Sequence, residues 1–249
     1  MRTPLAPVFA AMTLSACALA VDVGHVDDFT NADDLADFSG GSFLSNPGTG
    51  GVGGDDDGFL RVENLFNGHF GTRSASAPYI GDWNDSGAQG ISFWIKNLGT
   101  THLEMHLGIG SSFTWFQHNT GHVATPEWTK VIVTFDNPPE GTPTQGSGSF
   151  SSNLDFCDRI NIRHDLPPFV QSPNNTTGVL GIDRIKILGP CPGDANRDFV
   201  VSFLDLNAVL SSYGTMGANL EGDVNDDGVV DFLDLNEVLS SFGVDCTAP

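Results

Sequence analysis

Residues 90–96 read Gly-Ile-Ser-Phe-Trp-Ile-Lys, a stretch in which the apolar residues Ile91, Phe93 and Ile95 fall on every second position. This period of two is typical of a half-buried β-strand. The pattern recurs along the chain, with Gly, Pro, Asn and Asp in the gaps, in segments 59–65, 103–109, 113–117, 131–135, 160–162 and 185–187. Residues 21–188 are therefore predicted to form an antiparallel β-sandwich of the jelly-roll type.

The composition agrees with a mainly β chain. The 249 residues include 31 acidic and 10 basic side chains, which give a net charge of -21, and 25 of the acids are Asp. Because Asp favours turns, caps and metal loops over helix interiors, a helical bundle is excluded. The few bases form no cluster in the sequence, so nucleic acid is not an expected partner.

The first 20 residues have the pattern of an export signal. Arg2 precedes an apolar run over 5–14, and Ala18 and Ala20 supply small residues before a cleavage point. Alternatively, residues 14–17, Leu-Ser-Ala-Cys, resemble the lipobox of bacterial lipoproteins, in which Cys17 would carry a lipid. No other segment reaches the roughly 18 apolar residues of a membrane span. We therefore expect an exported protein, secreted or held at the cell surface, with no transmembrane span.

Two acidic segments near the C-terminus repeat each other at a constant offset of 29 residues. We name residues 194–205 loop 1 and residues 223–234 loop 2. Each places oxygen-bearing groups at the spacing with which a twelve-residue loop surrounds Ca²⁺. The predicted ligands are Asp194, Asn196, Asp198, the Val200 carbonyl, Ser202 and Asp205 in loop 1, and Asp223, Asn225, Asp227, the Val229 carbonyl, Asp231 and Asp234 in loop 2. The sequence thus predicts two calcium ions.

The two loops differ at their sixth position, where loop 2 has Gly228 and loop 1 has Phe199. A sharp turn there needs positive φ, which strains a residue other than glycine. We therefore expect loop 1 to bind calcium more weakly than loop 2.

A short amphipathic helix is predicted after each loop, with no helix before it. The apolar positions are Leu206, Val209, Leu210 and Tyr213 in one helix and Leu235, Val238, Leu239 and Phe242 in the other, and we expect these two faces to pack on each other. Cys191 and Cys246 bracket the repeat, and a disulfide between them would help so small a unit to hold together. Cys157 is expected to be a small buried apolar residue.

This paired loop and helix repeat, with Asp at position 12, resembles a type I dockerin, and the flanking cysteines resemble the GC-type dockerin domain of exported bacterial proteins. The resemblance covers residues 191–246 and implies an all-α calcium-binding module over 189–249. It also implies attachment to a cohesin-like or cell-envelope protein. The recognition positions would be Phe203, Leu204, Phe232 and Leu233, whose alternative role is packing within the module.

The sandwich region resembles galactose-binding-like and laminin-B-like jelly rolls. The resemblance rests on residues 26–29, 50–54, 90–95, 127–130 and 181–187. It implies a structural calcium ion between the first and last strands, with Asp28 and Asp183 as candidate ligands. Solvated loop carboxylates are the alternative.

The motifs for chemistry in the sandwich region are few. It shows no recognisable pair of glycosidase carboxylates, no Gly-x-Ser-x-Gly elbow and no His-Glu-x-x-His helix. His102, Glu104 and His106 alternate along one strand and could ligate a transition metal, or form a polar face.

Exposed aromatic residues, Trp94 and Trp115 among them, could stack on sugars. One of the neighbours Trp115 and Phe116 should point outward. We therefore expect a non-enzymatic, carbohydrate-binding sandwich on a calcium-dependent anchor. The alternatives are a polysaccharide-degrading enzyme or accessory module that hydrolyses O-glycosyl bonds, and a structural envelope protein.

Overall fold

The computed structural model describes residues 21–135, 141–218 and 220–248. The predicted export signal over 1–20 and the alternative lipid site at Cys17 lie outside these ranges. Within them, no helix is long and apolar enough to cross a membrane.

Residues 26–188 form two antiparallel sheets that pack face to face as a β-sandwich, which confirms the predicted architecture. The first sheet contains, in spatial order, β10 (Thr129–Thr134), β6 (Gly90–Asn97), β13 (Asn175–Leu188), β4 (Leu60–His69) and β3 (Phe43–Ser45), with β1 (Val26–Asp27) paired to β13. The second contains β11 (Gly141–Gln145), β8 (Trp115–His118), β7 (Glu104–Gly110), β12 (Arg159–His164), β5 (Gly71–Ser74) and β2 (Phe38–Ser39), with β9 (His122–Val123) paired to β7.

The core between the sheets is built from the apolar phase of each alternating strand. In the first sheet Ile91, Phe93 and Ile95 of β6 are fully buried. They face Leu107 and Ile109 of β7 in one cluster. Because side chains alternate along a strand, the intervening residues of β7, β8 and β12 point to the outside of the second sheet. The short strands β2, β5 and β11 lack this pattern and were not predicted.

Short helices lie in the loops of the sandwich, a 3₁₀ turn at Ala77–Tyr79, α1 at Trp83–Ser86 and α2 at Phe150–Leu154. Cys157 follows α2 and is fully buried with a free thiol, as expected. Burial raises the pKa of this thiol.

The C-terminal segment contains α3 (Phe203–Ser212) and α4 (Phe232–Ser240), each directly after one acidic loop. Val201, Val209, Val230 and Val238 form a second hydrophobic cluster, separate from the core of the sandwich. One valine comes from each loop and one from each helix. The prediction that the two helix faces pack on each other is confirmed only in part. Half of the named positions, Leu210, Tyr213, Leu239 and Phe242, are 43–54% exposed.

The last residues tie the C-terminal segment together and to the sandwich. A disulfide joins Cys191 to Cys246. Lys130 on the first sheet contacts Asp245, with Nζ 3.3 Å from Oδ2. Lys130 also donates to Thr247, and Lys186 donates to the Ala248 carbonyl.

Candidate functional site

The outside of the second sheet carries a group of polar side chains around one tryptophan. We call this surface the outer face and define it by Glu104 and His106 of β7, Trp115 and Gln117 of β8, Asn161 and Arg163 of β12, and Arg73 of β5. Trp115 is thus the outward-pointing member of the aromatic pair, whereas Phe116 lies in the core. The outer face is the candidate ligand site.

Trp115 lies flat along β7, where two glycines leave room for its ring. A Cβ on Gly108 would lie 3.1 Å from indole Cζ2, and one on Gly110 would lie 3.0 Å from Cε3. Any side chain at these positions would displace the ring. Trp115 is only 8% exposed, so it points outward without being the exposed aromatic residue that the sequence predicted.

Two amide groups beside the ring have no partner. Gln117 Nε2 and Asn161 Oδ1 are buried atoms that make no hydrogen bond with the described residues. Both residues pair with Gly108, one from each neighbouring strand. A buried donor or acceptor left without a partner costs roughly 1–3 kcal/mol, so a pair of them on one surface calls for an explanation.

The opposite end of the Gln117 amide is held in place. Its Oε1 accepts a hydrogen bond from Arg163 Nε, and Arg163 Nη2 lies 3.0 Å from Asp165 Oδ2. Burial lowers the pKa of Arg163, and the Asp165 carboxylate opposes this shift. Gln117 is therefore oriented with its free Nε2 fixed on the outer face.

The segment 165–174 crosses the outer face between β12 and β13. Arg163 Nη2 donates to the Val170 carbonyl at 3.2 Å, and Gln171 Nε2 donates to Gln145 Oε1 at 3.0 Å. Between this segment and the Gly40–Gly41 turn lies a cleft of about 320 Å³. Asn161, Arg73 and Arg163 line it, so the residue with the unpartnered Oδ1 belongs to its wall.

The histidine and glutamate residues of β7 do not form the predicted metal cluster. His106 is fully buried, donates from Nδ1 to the His118 carbonyl at 2.9 Å, and has Nε2 3.2 Å from Glu104 Oε1. His102 is exposed and precedes the strand, so alternation does not carry it onto the same surface. The structure therefore brings Glu104 and His106 together and leaves His102 apart from them.

Trp94 lies on the outside of the other sheet. It is half-buried, with Lys130 Nζ 5.9 Å from its ring centre. Lys130 in turn contacts the C-terminal tail. The structure therefore separates Trp94 and Trp115, the two predicted stacking residues, onto opposite surfaces of the sandwich.

Both acidic loops are folded with the same pattern of hydrogen bonds from backbone N–H groups to their Asp side chains. Asp205 and Asp234, at position 12, are fully buried, and each accepts hydrogen bonds from backbone N–H groups of its own loop. In the described ranges the one group of three acidic, histidine or cysteine ligands within 4.8 Å of one another is Asp194, Asp198 and Asp205. Burial raises the pKa of Asp194, and the nearby carboxylates act in the same direction. The donors are all oxygens, which fits Ca²⁺.

The sixth position of each loop has positive φ, as the spacing predicts. Gly228 has φ 85° and Phe199 has φ 66°. Phe199 N and Gly228 N both donate to the first Asp of their loop, at 2.7 and 2.9 Å. Phe199 is 3% exposed, so burial of its ring offsets backbone strain that the sequence alone indicated.

In the sandwich, Asp183 has a different acidic neighbour from the one predicted. Its Oδ2 accepts from Val52 N at 2.8 Å, and both this atom and Asp57 Oδ2 lie 2.9 Å from where a Cβ on Gly51 would be. Burial raises the pKa of Asp183 to about 7, and the Asp57 charge adds to the shift. Asp28 is instead exposed and accepts from Thr30 N. The structure thus brings Asp57 beside Asp183.

The apolar pairs at the start of the two C-terminal helices are exposed. Phe203, Leu204, Phe232 and Leu233 are 58–74% exposed, so most of their surface is not used for packing within the segment. Phe203 contacts Phe242, with ring centres 5.0 Å apart. A repeated apolar surface of this kind marks an interaction site more often than a monomer surface.

Sequence analysis missed Asn161, Gln117, Arg73 and Asp57. The alternation of side chains along β12 and β8 could have placed Asn161 and Gln117 on the polar side of the sheet. Arg73 lies on a four-residue strand with no alternation, so no sequence signal was available for it.

No protein-family model matches the chain, and no curated protein matches it significantly. Among solved structures, an exo-β-agarase aligns over 67% of this chain and 25% of its own, with TM-score 0.49 and 13% identity. The family 11 carbohydrate-binding module from Clostridium thermocellum, in complex with a β-1,3-1,4-mixed-linked tetrasaccharide, aligns over 67% of this chain and 96% of its own, with TM-score 0.42 and 20% identity.

The tandem CBM22-1–CBM22-2 domain of Paenibacillus barcinonensis Xyn10C aligns over 73% of this chain and 52% of its own, with TM-score 0.44 and 15% identity. The chain thus spans about a quarter of the exo-β-agarase. With TM-scores below 0.5, these similarities carry no argument about ligand or activity, and the fold is defined by the strand pairing described above.

Proposed function

We propose that this is an exported, non-enzymatic protein whose β-sandwich binds a carbohydrate on the outer face and whose C-terminal module attaches it to a protein scaffold in a calcium-dependent way. The observation that carries the carbohydrate part is the pair of unpartnered amide atoms beside the flat Trp115 ring. A sugar offers what this surface lacks, since its hydroxyl groups both donate to Asn161 Oδ1 and accept from Gln117 Nε2. Its C–H face packs on an aromatic ring.

The test is retention of the full chain on a panel of insoluble and immobilised polysaccharides, neutral and acidic. Asn161→Ala removes the acceptor from the wall of the cleft. We expect it to weaken binding about tenfold to a hundredfold, as for the loss of one partner of a buried hydrogen bond. Asn64→Ala, on the other sheet, is the matched control and should leave retention unchanged.

Trp115→Ala should have at least as large an effect as Asn161→Ala, and Trp94→Ala is its control on the opposite surface. Equal losses from the two tryptophan substitutions would contradict the assignment of the outer face. New reducing ends in the same samples, lost on removal of a single carboxylate, would favour the polysaccharide-degrading alternative. No retention on any polysaccharide would favour the structural envelope protein.

The attachment part of the proposal is supported by the exposed pairs Phe203-Leu204 and Phe232-Leu233. They occupy equivalent positions in the two repeats, positions 10 and 11 of each loop, directly before the Asp at position 12. Calcium in loops 1 and 2 would fix the start of each helix and so present both pairs on one rigid surface. The ligands proposed are those of the two loops; in the sandwich, Asp57 and Asp183 are the candidates for one further structural ion.

A panel of immobilised cohesin modules tests the attachment. The protein should bind at least one of them in calcium and dissociate in chelator. A Phe203→Ser/Phe232→Ser double substitution should abolish binding, while Phe43→Ser, an equally exposed phenylalanine on β3, should not. Binding that survives the double substitution would exclude these residues as the docking surface.

A further inference from the structure

The cleft on the outer face differs in charge from the rest of the chain. Acidic residues outnumber basic ones 31 to 10 in the sequence. Among the described residues that line the cleft, however, are Arg73, Arg163 and His69, and no carboxylate. A cavity with basic side chains and no carboxylate in its lining favours an anion.

The two arginines of the cleft are not equivalent. Arg163 is paired with Asp165 and has its Nε engaged by Gln117, so its charge is compensated. The Arg73 side chain makes no hydrogen bond or ion pair with the described residues. Its Nε lies over the turn, 3.4 Å from where a Cβ on Gly40 would be. The uncompensated charge of the cleft therefore belongs to Arg73.

Two of the six described arginines, Arg73 and Arg197, form no ion pair, although acids are abundant in this chain. Four other arginines form ion pairs, namely Arg61 with Glu63, Arg159 with Asp158, Arg163 with Asp165 and Arg184 with Asp57. Arg73 also stands directly opposite Asn161 in the pairing of β5 with β12. A free charge and an unpartnered amide oxygen thus occupy neighbouring positions on the same wall.

We propose that the cleft binds the anionic group of an acidic glycan, a uronic acid carboxylate or a sulfate ester, with Arg73 as the residue that recognises it. The inference rests on the proposed carbohydrate-binding function and names its ligand class. A guanidinium donates two parallel hydrogen bonds to a carboxylate or to a sulfate, and it stays charged at every physiological pH. Asn161 would accept from a hydroxyl of the same sugar.

The experiment measures affinity of the full chain for two matched pairs of polysaccharides. Polygalacturonate is compared with its methyl-esterified form, and a sulfated galactan with the same galactan after desulfation. We expect one acidic member to bind about tenfold or more tightly than its neutral partner, and the pair that shows the difference identifies carboxylate or sulfate as the anion. The preference should shrink as salt is added.

Arg73→Gln should remove the preference for the acidic partner. Arg73→Lys should keep part of it, because the charge remains and the two parallel hydrogen bonds do not. Arg61→Gln, on the opposite sheet, is the control and should keep all of it. Retention of neutral glycans with no preference for either acidic partner would overturn this inference and leave the proposed function standing, whereas no binding to these four or to any polysaccharide of the wider panel would overturn both.

Discussion

The sandwich and the C-terminal module reach a folded state by different means. The sandwich buries strand after strand of aliphatic and aromatic side chains in one cluster. The module buries four valines fully and adds a disulfide and two oxygen-lined loops. Because the buried fraction of a chain falls with its length, a segment of about 60 residues gains too little from apolar burial alone. We therefore expect the acidic loops, with bound calcium, to contribute to the stability of the C-terminal segment, whereas the sandwich depends on its apolar core.

The largest predicted effect follows from this contrast. Removal of calcium should destabilise the module by about 4 kcal/mol per site, for free calcium a thousandfold above Kd, and leave the sandwich nearly unchanged. Calorimetry of the full chain should show two transitions, of which only one moves on addition of chelator. Reduction of the Cys191–Cys246 disulfide in chelator should then abolish that transition. If both transitions stay in place without calcium, the assignment of the loops is wrong.

The next prediction compares the two repeats. Asp234→Ala removes a buried carboxylate that accepts three backbone N–H bonds, from Val224, Asn225 and Asp231. It should abolish one of two calcium ions in titration calorimetry and lower the unfolding free energy of the module by about 4 kcal/mol. Asp205→Ala should have a smaller effect, since loop 1 has Phe199 where loop 2 has Gly228. Asp226→Ala, outside the proposed ligand set, is the control.

Equal losses from Asp205→Ala and Asp234→Ala would refute this ranking. One structural feature favours the opposite ranking, with loop 1 as the stronger calcium site. The carboxylates of Asp194, Asp198 and Asp205 already lie within 4.8 Å of one another, and the equivalent trio in loop 2 does not. Burial of the Phe199 ring also favours loop 1, because it offsets the backbone strain at the sixth position.

The third prediction concerns an acid of the sandwich. The pKa of Asp183 is raised from 3.8 to about 7. Between these values the native state holds the proton that the unfolded chain has lost, so stability falls as pH rises from about 4 to about 7. In chelator, the sandwich transition should lose roughly 3 kcal/mol across this window.

Asp183→Asn should remove that pH dependence, and Asp28→Asn, at an exposed carboxylate, should preserve it. The measurement is denaturant unfolding of the sandwich at several pH values. A loss of stability toward low pH in the same window would contradict the assignment of the raised pKa. If stability rises with pH when calcium is added, an ion bound between Asp57 and Asp183 is indicated.

The two regions were also predictable to different degrees. Strict alternation, as in β6 and β7, fixed the strands of the core, and the 29-residue repeat fixed both loops and both helices. Short strands such as β5, with the sequence Gly-Thr-Arg-Ser, carry no periodic signal because their pairing is set by neighbours distant in sequence.

The candidate ligand site was predictable only through Trp115. The alternation of side chains along β8 indicated that Trp115 or its neighbour points outward. Whether Asn161 Oδ1 has a hydrogen-bond partner, however, depends on where β7, β8 and β12 meet. Likewise, the resemblance to jelly rolls with an ion between the first and last strands implied Asp28 as the acidic neighbour of Asp183. Only the path of the loop over Gly51 brings Asp57 there.

The smallest predicted effect separates backbone strain from ion binding within the module. Gly228 and Gly214 both have positive φ, 85° and 82°. Alanine at either position should therefore cost about 1 kcal/mol of stability. Gly228 is the turn of loop 2, and its added Cβ would lie 3.4 Å from the Gly217 carbonyl oxygen, whereas Gly214 ends α3 with nothing within 4 Å. Gly228→Ala should thus also weaken calcium binding severalfold, while Gly214→Ala should leave it unchanged. Equal calcium affinities in the two variants would show that the sixth position tolerates a side chain in loop 2 as it does in loop 1, where Phe199 occupies it.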